Sequence, residues 1–155
     1  MKLFHGSNTN IQSVDLTKGK PFKDFGQGFY ATHIEEQAVL WSQRIAGRFG
    51  GVATFNIFDF DMDAAKADGL KIKIFEEPSE EWALFVMHNR KTMEPCHDYD
   101  IVIGPVADDN MATLFNLYEM NLTTLAAMVE GLKYKGLNSQ YFFHTQRSLK
   151  YLARL

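Results

Sequence analysis

Short apolar runs that end at turn residues are interspersed along this sequence with stretches whose apolar residues recur at helical spacing. The run at residues 2–4 leads into a His-Gly-Ser turn at residues 5–7, and residues 52–60 are rich in β-branched and aromatic side chains. Both runs predict strands. Residues 33–47 carry an apolar stripe that predicts a helix between them. Because strands and helices do not alternate regularly, the sequence predicts an α+β fold.

The remaining elements follow from the same two patterns. Strands are predicted at residues 28–32, 70–75, 99–103 and 140–144, and helices after Pro78-Ser79, after Asp108-Asp109 and over residues 122–132. Thr32 to Glu35 has the pattern of a reciprocal capping box at the start of the first helix, whose stripe is Ala38, Trp41 and Ile45 with Ile34 behind. Residues 8–24 predict a long loop, and Thr145 is expected to cap a C-terminal helix bearing Leu149, Leu152 and Leu155.

Size and composition restrict the class of protein. The 155 residues fit one domain, at about 150 residues per domain, and 46% hydrophobic content supports a packed core. A net charge of -3 does not favour an electrostatic grip on duplex nucleic acid. Cys96 is the only cysteine, so neither an intrachain disulfide nor a thiolate metal cluster is possible. With no signal-peptide pattern and no membrane-length apolar run, we expect a cytoplasmic protein.

Three segments place polar side chains at the ends of apolar strands beside turns, where functional sites are common. They are His-Gly-Ser at residues 5–7, Gly-Gln-Gly-Phe-Tyr at residues 26–30 and Ser-Gln-Tyr at residues 139–141. The glycines allow the backbone to approach a flat ligand closely. The plainer alternatives are that His5 is a strand histidine without a site role and that Tyr30 belongs to the core.

Taken in order, these segments resemble the ADP-ribosyltransferase superfamily, in the branch with a His-Tyr-Glu signature that includes the poly-ADP-ribose polymerases and the diphtheria-type toxins. Phe4-His5-Gly6-Ser7 matches an apolar strand that ends in His-Gly-Ser or His-Gly-Thr, and residues 25–30 match a Phe-Gly-x-Gly-x-Tyr segment that leads into a helix. The chain is also similar to a small bacterial family of unknown function in that clan, through the segments Gly104 to Asp109 and Gln140 to Thr145.

The resemblance implies a split antiparallel β-sheet with flanking helices and a cleft that holds NAD extended. His5 would hydrogen-bond the adenosine ribose, the backbone of Gly6 would pair with the nicotinamide carboxamide, and Ser7 would also hydrogen-bond that group. Tyr30 would stack on the nicotinamide ring. Trp41 lies at the sequence distance from Tyr30 at which the polymerases have a second aromatic that stacks on the nicotinamide ring. Core packing explains Trp41 equally well, and either role would bury its indole.

The third segment departs from the pattern, because Gln140 stands where the family has glutamate. That glutamate grips the 2′-hydroxyl of the nicotinamide ribose, supports the positive charge that grows on the ribose and can help activate an acceptor, whereas glutamine can do only the first. Asp108 and Asp109 are candidate substitutes, though both are also expected as helix caps, and Glu119 is more distant. Arg90 is explained by the dipole at a helix C-terminus.

The sequence thus predicts a mono-ADP-ribosyltransferase of one domain, residues 1–155, with His5, Tyr30 and Gln140 as its catalytic residues and NAD hydrolysis as a side reaction. NAD is the expected substrate, and no metal is expected because no two histidines are two or four residues apart. The acceptor is open among proteins, nucleic acids and small molecules, and a cognate antitoxin is an expected partner. The alternative is a sensor or interaction module that binds NAD without chemistry, and Gln140→Glu is expected to raise turnover only in an enzyme.

Overall fold

The computed structural model describes residues 1–94, 96–107, 109–133 and 138–155, except for the side chains of Asp109 and Lys133. In this part of the chain, strands and α-helices combine around one sheet. The strands are β1 (Lys2–Ser7), β2 (Phe29–Thr32), β3 (Thr54–Phe60), β4 (Ile72–Ile74), β5 (Ile101–Pro105), β6 (Ser139–Phe143) and β7 (Leu152–Arg154). The α-helices are α1 (Glu35–Phe49), α2 (Met62–Ala67), α3 (Glu80–Asn89), α4 (Asp109–Glu119) and α5 (Leu125–Lys133). Short 3-10 turns lie at Leu16–Lys18 and Ser148–Tyr151.

The strand order across the sheet is β4-β5-β6-β2-β1-β3-β7. The α+β class is therefore confirmed. Neighbouring strands are antiparallel except β4 and β5, which run parallel, so the expectation of a wholly antiparallel sheet is wrong at this edge. β1 pairs with β3 along its whole length but with β2 at one position, where Phe4 lies opposite Thr32. The sheet is consequently divided along most of the boundary between β1 and β2.

The alternation of side chains along the strands builds two hydrophobic cores. Phe142 belongs to a core with Trp82 of α3 and Phe115 of α4, whereas its neighbour Phe143 belongs to a second core with Leu3. Successive residues of a strand point to opposite faces of the sheet, which explains how adjacent phenylalanines enter different cores. The helices α3, α4 and α5 cover the first core.

Local capping signals were predicted with mixed success. Ser79 caps α3 as expected, since its hydroxyl accepts a hydrogen bond from the backbone N–H of Trp82 at 3.1 Å. The capping box at Thr32 is wrong, because the N-cap of α1 is Ile34. The hydroxyl of Thr32 instead accepts from the backbone N–H of Ile34 and donates to the side-chain oxygen of Gln37 at 2.7 Å.

The predicted C-terminal helix is also wrong. A 3-10 turn at Ser148–Tyr151 is followed by β7, which pairs with β3 and places Leu152 opposite Phe60 in the second core. The edge of β3 offers unpaired backbone groups that a strand satisfies and a helix does not. The short helix α2 was not predicted, and Asp61 caps it. Within the described residues, no helix is long and apolar enough to cross a membrane.

Candidate functional site

The boundary between β1 and β2 is open beyond Phe4 and Thr32. From His5 to Ser7, the edge of β1 that faces β2 has no backbone pairing with a strand among the described residues. We call this edge, with the facing residues Phe29 and Tyr30, the strand opening. Nδ1 of His5 donates a hydrogen bond across it to the main-chain oxygen of Tyr30, at 2.6 Å. Because a carbonyl oxygen can only accept, Nδ1 carries the proton, and Nε2 of the neutral ring is an acceptor.

The imidazole of His5 is held in a largely apolar setting. Its ring centroid lies 4.5 Å from that of Phe29. Burial lowers the pKa of His5, although the hydrogen bond to the carbonyl of Tyr30 acts in the opposite direction. The ring is therefore neutral at pH 7, and its Nε2 can accept a hydrogen bond from a hydroxyl group.

Gly6 is required by helix packing. A Cβ atom at this position would lie 2.2 Å from the carbonyl oxygen of Ala38 and 2.7 Å from the backbone nitrogen of Ser42, both in α1. The helix α1 thus lies directly on β1. This close packing explains why glycine is needed at position 6 even without a ligand. Ser7 is partly exposed, and its hydroxyl oxygen accepts a hydrogen bond from the backbone N–H of Thr9 at 3.3 Å.

Tyr30 fastens the turn that precedes β2. Its hydroxyl donates to the carbonyl of Gly26 at 2.7 Å and accepts from the backbone N–H of Phe25 at 3.1 Å. Its ring packs on Phe142, with centroids 4.7 Å apart. Burial raises the pKa of Tyr30 well above its ordinary value. Gly26 has φ of 99°, a conformation that favours glycine, so the glycine of this segment serves the turn that Tyr30 holds.

Trp41 is 47% exposed, so the expectation that its indole is buried is wrong. Ala38 and Ser42 occupy the face of α1 that packs on β1, and Trp41 flanks them. Its Cβ would be 3.1 Å from a Cβ placed on Gly6. The indole therefore stands at the side of α1, close to the strand opening but covered by neither core.

Gln140 lies on β6, opposite Thr32 of β2 and Gly104 of β5. Its side-chain nitrogen Nε2 donates to Oδ2 of Asp24 at 2.8 Å and to the carbonyl of Pro105 at 3.2 Å. A carboxylate therefore does lie beside Gln140, but it comes from the loop that precedes β2.

Asp24 is 7% exposed and forms the centre of a charged network. Its Oδ1 is 2.8 Å from Nε and 2.7 Å from Nη2 of Arg90, and its Oδ2 accepts from the backbone N–H of Ala107 at 2.9 Å. Nη2 of Arg90 also donates to the carbonyl of Ala107 at 2.8 Å. We call Asp24, Arg90, Gln140 and the carbonyl of Pro105 the amide clamp. It joins the loop before β2, the end of α3, the end of β5 and the start of β6.

Sequence reasoning missed Asp24 and explained Arg90 by the helix dipole alone. In the clamp, Asp24 is 66 positions from Arg90 and 116 positions from Gln140 in the sequence. No local sequence pattern therefore predicts these contacts. Of the acids that were considered, Glu119 is paired with Lys91. Asp108 lies outside the described residues, and so does the side chain of Asp109.

The structure brings the site residues into two neighbouring groups that share Tyr30. The main chain of Tyr30 belongs to the strand opening with His5. Its side chain lies near the amide clamp, because its hydroxyl accepts from the backbone N–H of Phe25, the residue that follows Asp24. His5 and Gln140 are therefore on either side of one strand, β2.

The loop over residues 8–24, predicted as irregular, is fastened to the sheet. Asn56 of β3 accepts from the backbone N–H of Ile11 at 2.8 Å and donates to the carbonyl of Thr9 at 3.2 Å. At its other end, Nε2 of Gln27 donates to the carbonyl of Gly19 at 2.8 Å. The loop thus has a defined course from the end of β1 to the amide clamp.

Two surface depressions lie elsewhere. One of about 270 Å³ is lined by residues of the start of α3 and of α5, including Glu77 and Glu130, and one of about 420 Å³ lies beside Met1 and Asp61. Neither contains a residue of the strand opening or the amide clamp.

The model of a family described as "Protein of unknown function (DUF3990)" matches residues 1–153. Neither a curated protein nor a solved structure gives a significant match. Because the family match runs from the first residue nearly to the last, the chain belongs to this family.

Proposed function

We propose that the protein is an NAD-dependent mono-ADP-ribosyltransferase, which transfers ADP-ribose from NAD to an acceptor and releases nicotinamide. The observation that carries the proposal is the strand opening. There the His-Gly-Ser end of β1 presents an edge that is not paired with any strand of the described chain, next to Tyr30 and the exposed Trp41.

The open edge suits an amide ligand. Backbone N–H and C=O groups at an unpaired strand edge can form hydrogen bonds to a ligand. A carboxamide has both a donor group and an acceptor group for them. Gly6 would pair with the nicotinamide carboxamide through its backbone, with Ser7 beside it. The hydroxyl oxygen of Ser7 accepts from the backbone N–H of Thr9 and lies 3.3 Å from the hydroxyl of Thr9, so Ser7 would turn its hydroxyl hydrogen from Thr9 to the ligand.

The remaining contacts follow from the side chains around the opening. Nε2 of His5 would accept a hydrogen bond from a hydroxyl of the adenosine ribose, since Nδ1 is engaged with Tyr30. Tyr30 would hold the nicotinamide ring, and the exposed indole of Trp41 would cover it. The burial that Trp41 lacks in the free protein would then be supplied by the ligand.

Gln140 would accept a hydrogen bond from the 2′-hydroxyl of the nicotinamide ribose. It cannot take up a proton or oppose the positive charge that develops as nicotinamide leaves, so turnover would be slow. This favours transfer of a single ADP-ribose unit over polymer elongation, with water as an alternative acceptor. The acceptor is a protein, a nucleic acid or a small molecule, and a neutralising antitoxin is the proposed partner if the protein acts as a toxin.

The proposal is tested by measuring nicotinamide release from NAD by the purified protein. Trp41→Ala is the sharpest variant, because the side chain is exposed and its loss leaves the cores intact. Leu40→Ala is the matched control, on the same helix and 54% exposed. We expect release by the wild type and by Leu40→Ala, and a loss with Trp41→Ala.

A second candidate function is NAD or nucleotide binding without chemistry, as a sensor or interaction module. It is favoured by the amide clamp, where the neutral side chain of Gln140 already has two partners. NAD binding by calorimetry without any nicotinamide release would establish this alternative. Absence of both binding and release would show that the proposed enzymatic function is wrong.

A further inference from the structure

The side-chain amide of Gln140 has one chemically allowed orientation. Its nitrogen lies within 2.8 Å of a carboxylate oxygen of Asp24 and 3.2 Å of the carbonyl oxygen of Pro105. Both neighbours are acceptors, so both N–H bonds of the amide are used. Turning the amide over would place Oε1 against two acceptors and leave those bonds unmade. Oε1 is therefore held away from Asp24, and it forms no hydrogen bond to the described residues.

The carboxylate oxygens of Asp24 are likewise engaged as hydrogen-bond acceptors. The groups that contact it are all donors: the guanidinium of Arg90, the N–H of Ala107 and the amide of Gln140. At 7% exposure, and with its charge balanced by Arg90, it is not placed to take a proton from an acceptor. The proposed catalytic side chain that Asp24 hydrogen-bonds is that of Gln140.

We infer that Asp24 is a positioning residue, which together with the carbonyl of Pro105 fixes Gln140 as a hydrogen-bond acceptor and makes glutamine the required residue at position 140. The catalytic part of this inference rests on the proposed function. There, Oε1, which has no partner among the described residues, receives the 2′-hydroxyl of the nicotinamide ribose, a bond that strengthens as charge grows on that sugar.

The same geometry reverses the expectation for Gln140→Glu. A glutamate at this position would place a carboxylate oxygen next to the carboxylate of Asp24, where the side-chain nitrogen of Gln140 now donates a hydrogen bond at 2.8 Å. It would also face the carbonyl of Pro105, so two favourable contacts would become repulsive. Gln140→Glu alone therefore lowers stability and turnover, and its inactivity does not argue against an enzyme.

A double-mutant cycle with Asp24→Asn and Gln140→Glu tests the inference. Each single variant leaves mismatched partners in the clamp. In the double variant, the side-chain amide at position 24 can donate to the carboxylate at position 140, and the clamp again contains one carboxylate. We expect both single variants to unfold at lower urea concentrations than the wild type, and the double variant to recover part of that loss. A double variant no more stable than the weaker single variant would overturn the inference.

Turnover separates positioning from a merely structural role. Nicotinamide release is measured for each variant well below its unfolding midpoint, so that all molecules are folded. We expect Asp24→Asn to lower kcat about ten-fold, the rate equivalent of about 1.4 kcal/mol, with a smaller change in KM. Asp15→Asn, an exposed carboxylate of the same loop, is the matched control and should keep the wild-type kcat. An unchanged kcat in folded Asp24→Asn would refute the positioning role.

The two proposals fail in different ways. If the wild-type protein releases no nicotinamide, the proposed function is wrong, and the unfolding cycle still decides whether Asp24 fixes Gln140. If the wild type is active and the double variant recovers neither stability nor turnover relative to Gln140→Glu, the inference about Asp24 is wrong while the proposed function stands.

Discussion

The imidazole of His5 hydrogen-bonds the main-chain oxygen of Tyr30 at 2.6 Å, at the place where β1 and β2 have stopped pairing. A side chain of one strand thus satisfies a carbonyl that would otherwise need the backbone of a neighbouring strand. The gap between the strands is compatible with a folded protein because this histidine spans it.

Replacing His5 by leucine should destabilise the protein. The substitution removes the donor to the carbonyl of Tyr30, and leaving a buried acceptor without a partner costs about 1–3 kcal/mol. His5→Asn retains a donor near the position of Nδ1 and should lose less. Urea denaturation of the two variants measures the difference, and equal midpoints would mean that the hydrogen bond contributes nothing to stability.

Stability should fall when the pH is lowered through the range in which histidine titrates. Burial lowers the pKa of both His5 and His97 from the ordinary value of about 6.5. His97 donates from Nε2 to the carbonyl of Phe25 and accepts at Nδ1 from the N–H of Tyr99, and the second of these bonds needs the neutral ring. The unfolded chain binds more protons below about pH 6.5, and the folded state is disfavoured there.

Thermal unfolding between pH 8 and pH 5 measures this dependence. The midpoint should be level at the alkaline end and should fall from about pH 6.5 down to the lowered pKa values of the folded protein. In His97→Gln, the fall should be smaller because one of the two groups no longer titrates. A midpoint that rises on acidification would contradict the burial of neutral imidazoles.

Gly6, which packs against α1, and Gly47, which lies within α1, should respond to alanine in opposite ways. Gly6→Ala places a methyl group 2.2 Å from the carbonyl oxygen of Ala38, so helix and strand must separate, and we expect a loss of about 3 kcal/mol from overpacking. Gly47→Ala meets no atom within 4 Å and should stabilise the helix by about 0.8 kcal/mol. Denaturation midpoints of the two variants check both signs. A tolerated Gly6→Ala would mean that α1 does not lie against this strand.

Trp41 should report on the proposed ligand. It is 47% exposed whereas Trp82 is 0% exposed, so iodide should quench the emission of Trp41 alone. NAD added to the protein should quench the same component and protect it from iodide, because a stacked ring shields the indole. Trp41→Phe should abolish both effects. Iodide quenching that NAD leaves unchanged would place the ligand elsewhere or exclude its binding.

The parts of the fold that were predictable from sequence are those fixed by neighbouring residues. Ser79 caps α3 through an amide three positions away, and β3 follows from a run that is rich in β-branched and aromatic residues. The C-terminal strand was mistaken for a helix because leucines three residues apart fit a helical face, whereas the pairing with the edge of β3 that makes it a strand is not visible in the local sequence. Thr32 was assigned the wrong partner because a hydroxyl can satisfy several nearby groups.

In the candidate site too, the features set by neighbouring residues were predictable and those set by tertiary contacts were not. The segments that carry His5, Gly6 and Tyr30 were recognisable as strand ends, but the reason for Gly6 is a helix that packs over it. Asp24 was not recognisable, because a single aspartate in a loop has no periodicity. Its importance comes from burial beside Arg90 and Gln140, which only the folded chain produces.

The division of the sheet has a mechanical consequence. In the described chain, one main-chain pair, Phe4 with Thr32, joins the half that contains β1, β3 and β7 to the half that contains β2, β6, β5 and β4. We therefore expect main-chain motion of the sheet to concentrate at this boundary, as rotation of one half against the other. A molecule that binds between the halves would restrict this motion. Its binding would slow amide hydrogen exchange in both halves at once.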